Sequence, residues 1–227
     1  MRTFVVGDIH GAHKALVQVM ERSGFDREQD RLISLGDLTD YNPDSAQVIE
    51  ELLGLKHLIA VRGNHDVWME AWLKTKDIDP VWLMNGGSES IVSYRKTERQ
   101  DDPRHVDFFA RQIPYYLDES NRLYVHAGFD PDRSLESQSD ETLYWSRAFW
   151  TGVATAHNAG EAPRDFDYAA IFIGHTPTPK YFRHFLPVNC GSVWNLDQGA
   201  KSIGVLTLME VETKAYWQSD RVSELYR

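Results

Sequence analysis

The sequence predicts an α/β protein whose functional loops follow the carboxyl ends of buried strands. Five short apolar runs each end in a cluster of glycine and polar residues, and amphipathic helical segments lie between the first runs. The chain has 227 residues, a length that suits one domain around a single core. Ligands of α/β sheets bind outside the carboxyl ends of the strands, so the five clusters are expected to meet in one crevice.

The predicted strands are apolar runs of four or five residues, as expected for strands buried on both faces. They span Thr3–Val6, Arg31–Leu35, Leu58–Val61, Arg122–Val125 and Ala169–Ile173. The clusters that follow them read Gly-Asp-Ile-His-Gly, Gly-Asp-Leu-Thr-Asp, Arg-Gly-Asn-His-Asp, His-Ala-Gly and Gly-His-Thr-Pro. Their polar residues are mainly Asp, Asn and His, the ligand types that bind Mn, Fe or Zn in hydrolytic sites.

Each cluster taken alone has an ordinary structural explanation. Asp8 could cap a helix, and His10 could be an exposed loop residue. Five clusters of the same ligand types at the ends of five strands favour a metal site over coincidence. Because none of them contains cysteine, a structural zinc site is not expected.

The first strands are separated by two predicted helices. His13–Ser23 places its apolar residues on one face and is followed by Gly24, a typical stop signal. Ser45–Gly54 repeats this pattern after Pro43, a helix-start signal. Both helices are expected to pack on the sheet.

The stretch from about 67 to 119 interrupts this alternation and is predicted to be a helical excursion above the sheet. Its aromatic residues, among them Trp68, Trp72 and Trp82, are interpreted as core, with a substrate platform as the alternative. Near the end of the chain, Gly204–Met209 and Lys214–Gln218 predict a hairpin that belongs to a second sheet. No repeat or linker marks a boundary, so residues 1–227 are expected to form a single domain.

Charge and composition limit the partners. The net charge is −10 and no basic run occurs, which argues against a nucleic-acid partner, although bound cations would reverse the field at one site. No segment has about 20 consecutive apolar residues, so no membrane partner is expected. The N-terminus lacks the apolar stretch of a signal peptide, and Cys190 has no second cysteine to pair with. A cytoplasmic protein is therefore expected.

In order and spacing, the five clusters resemble the motifs of the calcineurin-like metallophosphoesterases, and within them the bacterial branch of the phosphoprotein phosphatase family. The motifs are Gly7–Gly11, Gly36–Asp40, Arg62–Asp66, His126–Gly128 and Gly174–Thr176. The resemblance implies a four-layer αββα sandwich of two mixed β-sheets flanked by helices. It also implies a hydrolase of phosphate esters with two divalent metal ions, Mn²⁺ first, with Fe, Zn, Ni or Co as alternatives.

The resemblance also implies which residues bind the metals. Asp8 and His10 would bind the first metal, and Asp37 would bridge both. Asn64, His126 and His175 would bind the second. A water shared by two cations ionises near neutral pH, so this arrangement needs no protein base.

Further roles follow from the same motifs. His65 would be the general acid that protonates the leaving alkoxide, and Asp40 would orient it. A histidine beside a carboxylate titrates in the range that this role needs. Arg62 and Arg147 would bind the phosphate oxygens, although Arg147 could instead be a surface arginine in a salt bridge.

The sequence departs from the family at two adjacent positions that bear on the substrate. Tyr41 and Asn42 stand where protein phosphatases of the family have Arg-Gly, so one phosphate-binding arginine is missing. The protein is therefore expected to bind a phosphomonoester dianion more weakly unless Arg62 and Arg147 compensate. This weaker binding argues against a protein Ser/Thr phosphatase. Asp66 replaces a glutamate that is common in the family and keeps its charge.

These observations together predict a phosphomonoesterase that acts on a phosphorylated small molecule or a phosphopeptide. A diadenosine-polyphosphate hydrolase of the same bacterial branch is the alternative. A catalytically silent binding module is a further one, although no ligand or general acid is missing. The sequence predicts neither the physiological substrate nor the oligomeric state.

Overall fold

The protein, described here by a computed structural model of all 227 residues, contains two five-stranded mixed sheets. The strands in chain order are β1 (Thr3–Val6), β2 (Arg31–Ser34), β3 (Leu58–Ala60), β4 (Tyr115–Leu117), β5 (Arg122–Val125), β6 (Ala170–Ile173), β7 (Val188–Cys190), β8 (Val193–Asn195), β9 (Thr207–Glu210) and β10 (Tyr216–Gln218). The first sheet has the order β10-β9-β1-β2-β3, and the second has the order β4-β5-β6-β8-β7.

Helices flank both sheets. They are α1 (His13–Ser23), α2 (Ser45–Leu53), α3 (Asn64–Thr75), α4 (Pro80–Trp82), α5 (Ser88–Lys96), α6 (Pro103–Ala110), α7 (Ala148–Asn158) and α8 (Val222–Leu225). A π-helical turn, Leu83–Gly87, joins α4 to α5. None of the helices has the length and apolar character needed to cross a bilayer.

Three apolar layers separate the elements. The largest holds 27 buried residues and lies between the first sheet and the helices of the N-terminal half, with Phe4 and Leu16 among them. A second layer packs α7 on the second sheet. The third lies between the sheets and includes Val5 and Phe172. Successive strand residues point to opposite faces, so Phe4 faces helices while Val5 faces the other sheet. The expected four-layer αββα sandwich is therefore confirmed.

Parallel pairing brings the functional loops to one edge of each sheet. β1 pairs with β2 in parallel, with Thr3 opposite Arg31, and β2 pairs with β3 in the same sense. In the second sheet, β5 pairs with β6 in parallel. The loops after β1, β2 and β3 therefore leave one sheet side by side, and the loops after β5 and β6 leave the other.

Two expectations about topology need correction. The C-terminal hairpin forms, but β9 pairs with β1, so the hairpin extends the first sheet instead of supplying a second one. The excursion is helical only as far as Ala110, because Tyr115–Leu117 pairs with β5 as an edge strand. Hydrophobic patterning locates strands but carries no information about their partners.

Candidate metal centre

Five loops converge between the two sheets and bring buried acids and imidazoles together. Two sets of possible metal ligands have their ligand atoms within 4.8 Å of one another: one contains His10, Asp37 and His65, and the other contains Asp37, His126 and His175. Asp37 belongs to both sets. This is the geometry expected of a carboxylate shared by two cations.

The loop after β1 supplies the first acid and imidazole. Asp8 is 2% exposed, and its Oδ2 lies 3.9 Å from Nε2 of His10, which lies 3.7 Å from Oδ2 of Asp37. The other ring nitrogen of His10, Nδ1, lies 3.0 Å from the carbonyl oxygen of Thr39. A proton on Nδ1 makes that contact a hydrogen bond and leaves the lone pair of Nε2 free for a metal.

The second set is oriented in the same way. Nδ1 of His126 lies 2.8 Å from the carbonyl oxygen of Leu35, while its Nε2 lies 3.4 Å from Oδ1 of Asp37 and 3.2 Å from Oδ1 of Asn64. Nε2 of His175 lies 2.9 Å from the carbonyl oxygen of Trp145, which leaves Nδ1 as its free ligand atom. All these imidazoles are thus fixed by backbone carbonyls.

Two glycines make room for the carboxylates. A Cβ atom at position 174 would lie 2.0 Å from Oδ1 of Asp8, and a Cβ atom at position 63 would lie 2.2 Å from Oδ1 of Asp37. The backbone N–H of His175 donates to Asp8 at 2.9 Å, and that of His65 donates to Asp37 at 3.0 Å. Any side chain at these positions would displace an acid.

Backbone conformation is unusual in the same loops. Ten residues other than glycine have positive φ, and five of them lie at the centre: His10, Asp37, Asp40, Tyr41 and His175. Such conformations cost energy and persist where the surrounding structure over-determines them. Tertiary contacts, and not the intrinsic backbone preferences of these residues, therefore stabilise the conformation of the loops.

The donor set fits divalent cations. The ion-pair partners of Asp8 and Asp37 are imidazoles only, although both carboxylates are buried. Burial and the negative charge of Asp197 raise the pKa of Asp8. Burial raises the pKa of Asp197 to about 6. Buried acids at such density need positive charge, which metal ions supply.

The imidazoles respond to the same environment. Burial and the charge of His65 lower the pKa of His10 to about 3, and burial and the charge of His126 lower the pKa of His175 to about 2. Both rings are therefore neutral and able to act as ligands. Burial opposes the charge on His126, yet Asp37 raises its pKa to about 9. A cation bound to Asp37 would take over the role of that proton.

His65 and Asp40 form a hydrogen-bonded pair beside the ligands. Nδ1 of His65 lies 2.6 Å from Oδ2 of Asp40, and both side chains are buried. Burial opposes the charged form of His65, but Asp37 and Asp40 raise its pKa. Nε2 of His65 lies 4.0 Å from Oδ2 of Asp37, so it faces the cluster. The pair can present a proton next to the candidate metal ligands.

The two arginines are arranged differently from each other. Nη1 of Arg62 lies 2.7 Å from Oε2 of Glu70, and its Nη2 donates to the carbonyl oxygen of Phe109. Nη1 of Arg147 lies 3.0 Å from Nε2 of His175. A guanidinium only donates, so this contact competes with the bond from His175 to the Trp145 carbonyl. Arg147 therefore lies against the candidate ligands, while Arg62 is engaged by the protein.

Tyr41 and Asn42, which replace the usual Arg-Gly, have distinct surroundings. The side chain of Asn42 donates to the carbonyl oxygens of His10 at 2.7 Å and Ala200 at 3.1 Å, so it has a structural role. The ring of Tyr41 lies 5.1 Å from that of His10, and the ammonium of Lys201 lies 5.3 Å from its centroid. The positively charged side chain of Lys201 thus lies near the position of the missing arginine.

Aromatic rings border the general-acid candidate. The ring centroid of His65 lies 5.5 Å from that of Tyr41 and 5.1 Å from that of Trp68, and Trp68 packs on Trp145 at 4.7 Å. All three aromatic side chains are half-buried. Trp68 packs against the core, as the sequence predicts, but it is only partly buried and also lies at the border of the site.

Sequence reasoning also missed the importance of Asp66. Its carboxylate accepts hydrogen bonds at 3.0 Å from the backbone N–H groups of Asp37, Leu38 and Gly63, and from the side chain of Gln112. It therefore ties the second motif to the third. Its position in the Asn-His-Asp cluster was the available signal.

Comparison with known proteins agrees with this geometry. A sequence profile described as calcineurin-like phosphoesterase matches residues 1–190. Serine/threonine-protein phosphatase 1 of Salmonella typhimurium is 28% identical over 213 residues, which cover 92% of this chain and 91% of that protein. The symmetrical bis(5'-nucleosyl)-tetraphosphatase of Pseudomonas fluorescens is 30% identical over 157 residues, which cover 63% of this chain and 53% of that protein.

A solved structure shares the fold. The metallophosphoesterase from Sphaerobacter thermophilus superimposes with a TM-score of 0.58 at 19% identity, and the match covers 100% of this chain and 90% of that one. The similarity of fold thus agrees with the family match.

Proposed function

Because the chain belongs to the calcineurin-like phosphoesterase family, we propose that it hydrolyses phosphomonoesters at a dinuclear metal centre with His65 as the general acid. The observation that carries the proposal is the position of Asp37 in both ligand sets, next to the His65–Asp40 pair. The family makes the chain a phosphoesterase that works with divalent metals. The nuclearity, the residue roles and the substrate class are the proposal.

The metal ligands proposed are those that the motifs imply. Asp8 and His10 would hold one cation, and Asp37 would be shared. Asn64, His126 and His175 would hold the other. Bound cations of this kind supply Lewis-acid stabilisation of phosphoryl oxygens and an ionised water near neutral pH. Mn²⁺ is the proposed metal, and Fe, Zn, Ni or Co could use the same nitrogen and oxygen donors.

The chain's own residues would complete the reaction. In the protonated form that Asp37 and Asp40 favour by raising the pKa of His65, Nδ1–H would donate to Asp40 and Nε2–H would supply the proton that the leaving oxygen needs. Arg147 would leave His175 to bind the phosphate, because a guanidinium fork matches two phosphate oxygens. Arg62 would likewise have to leave Glu70, and Arg147 is the better supported of the two because it already lies against His175, a candidate metal ligand.

The coverage of relatives favours a phosphomonoester substrate. The phosphatase relative matches this chain over nearly its whole length, whereas the tetraphosphatase matches over about half of its own. A phosphorylated small molecule or a phosphopeptide is therefore the proposed substrate class, and a dinucleotide polyphosphate is the second candidate.

The proposal is tested on protein stripped of metal by a chelator. Hydrolysis of p-nitrophenyl phosphate should appear on addition of Mn²⁺ and saturate near two equivalents, and Asp37→Asn protein should stay inactive at the same metal concentration. Chromatography of diadenosine tetraphosphate and a phosphopeptide would assign the substrate class. Metal binding without turnover of any of the three compounds would favour a binding module.

A further inference from the structure

The excursion between β3 and β4 reaches into the site at one point, the carboxylate of Asp40. Oδ2 of Asp40 accepts a hydrogen bond from Nε1 of Trp82 at 2.8 Å, in addition to the bond from His65. Oδ1 accepts from the hydroxyl of Ser90 at 2.6 Å. Asp40, Trp82 and Ser90 are at most 1% exposed. Both oxygens of the carboxylate are thus held by donors from outside its own loop.

The donors leave the carboxylate no freedom to turn. Rotation of the carboxylate that moved Oδ2 away from His65 would break the bond from Trp82, and it would also break the bond from Ser90. The hydroxyl of Ser90 additionally accepts from the backbone N–H of Asp40 at 2.8 Å. Removing one partner of a buried hydrogen bond leaves the other partner unsatisfied, which costs free energy and allows the remaining group to move towards another partner. The orientation of the carboxylate therefore depends on Trp82 and Ser90.

The kink between α4 and α5 makes this convergence possible. Trp82 and Ser90 are eight residues apart and would not both reach one carboxylate from a straight helix. Within the π-helical turn, Asn85 and Gly86 leave helical geometry, with φ values of −110° and 87°. The carbonyl oxygen of Gly86 accepts the backbone N–H of Tyr41 at 3.1 Å, which anchors the kink on the loop of Asp40.

We propose that Trp82 and Ser90 are positioning residues for proton donation to the leaving group, acting through Asp40 on the ring of His65. This inference rests on the proposed role of His65 as the general acid. Trp82 and Ser90 hydrogen-bond Asp40 and none of the proposed metal ligands. Their loss should therefore affect the step that needs a proton and spare metal binding.

The test compares two substrates that differ in their need for a proton. Phenyl phosphate has a poor leaving group, whereas p-nitrophenyl phosphate has an activated one. For Ser90→Ala and for Trp82→Phe, which keeps a buried ring, we expect kcat/KM for phenyl phosphate to fall about 10- to 100-fold, a part of what a general acid contributes. The fall for p-nitrophenyl phosphate should stay within about threefold, and the Mn²⁺ stoichiometry should be unchanged.

The chain offers a matched control on the same helix. Ser93 is 1% exposed, and its hydroxyl bonds Ala46 and Gln47 on the neighbouring helix. Ser93→Ala removes an equally buried hydroxyl without touching Asp40, so both substrates should be affected alike. If Ser90→Ala fails to fold, Trp82→Phe carries the comparison.

The outcomes separate the inference from the proposed function. Equal losses on the two substrates, or no loss on phenyl phosphate, would overturn the positioning role while the wild-type enzyme remains active on both. A wild-type protein that hydrolyses neither ester with Mn²⁺ would refute the proposed function and this inference with it.

Discussion

Gly174 allows a substitution that tests the position of Asp8 without altering any ligand. A Cβ atom at this position would lie 2.0 Å from Oδ1 of Asp8, where real contacts are not shorter than 3.0 Å, so the carboxylate would have to retreat by about 1 Å. The backbone conformation of Gly174 is not left-handed, so the steric contact is the main effect of an alanine. The acid cannot move without losing its bond from the N–H of His175.

The expected magnitude follows from this displacement. A misplacement of about 1 Å near the reacting groups costs on the order of 10²-fold in rate, and changes around metal ligands cost roughly 10- to 100-fold in affinity. For Gly174→Ala we therefore expect Mn²⁺ affinity to fall by about 10- to 100-fold and turnover at limiting Mn²⁺ to fall with it. Calorimetric titration of the chelator-stripped protein measures the affinity directly.

Gly152 supplies the control. It lies in α7, where an added Cβ atom meets nothing within 4 Å. Gly152→Ala should bind Mn²⁺ like the wild type and gain about 0.5–1 kcal/mol in stability, because alanine loses less entropy in a helix. Wild-type Mn²⁺ affinity and turnover in Gly174→Ala protein would refute the assignment of Asp8 as a ligand held against the glycine.

Three more outcomes are expected. His65→Ala should lower kcat/KM for alkyl phosphates about 10²-fold or more and for p-nitrophenyl phosphate much less, and equal losses in steady-state assays would contradict the general-acid role. Asp66→Ala should destabilise the fold by about 3 kcal/mol or more in urea unfolding, because several buried donors lose their acceptor; a change below 1 kcal/mol would show that water replaces it. Trp68→Leu should reduce the preference for benzyl over cyclohexylmethyl phosphate by roughly 3- to 10-fold, the range of an aromatic contact, and an unchanged ratio would exclude contact with the leaving group.

Local sequence patterns were sufficient for the two helices and the strands around the motifs, but they did not predict β4, β7, β8 or α7. Helix α1 begins and ends where its apolar periodicity and Gly24 predict, and the five predicted strands that precede the motifs agree with the observed ones to within one residue at their ends. The two hairpin strands begin two or three residues later than predicted. These features depend on neighbours along the chain, such as residues three and four apart in a helix. Burial on both faces of a strand also leaves a direct trace, a continuous apolar run.

The pairing of strands could not be obtained in the same way. The C-terminal hairpin was recognised, but its partner β1 lies about 200 residues earlier in the chain, and an apolar strand suits many partners. Likewise, the division of five similar strands between two sheets depends on how their opposite faces pack. Only the assembled core distinguishes Val5, which faces the second sheet, from Phe4, which faces helices.

For the site, the sequence alone determined which ligand groups are present: carboxylates, imidazoles and an amide that directly follow strands. The order of the motifs that contain them identifies the family. Tertiary structure decided what surrounds them. Trp82 and Ser90 bond Asp40 from 42 and 50 positions away, and Arg62 is engaged by Glu70. The physical reason is that a ligand set is specified by residue types, which a sequence states, whereas orientation and charge come from contacts between distant segments, which exist only after folding.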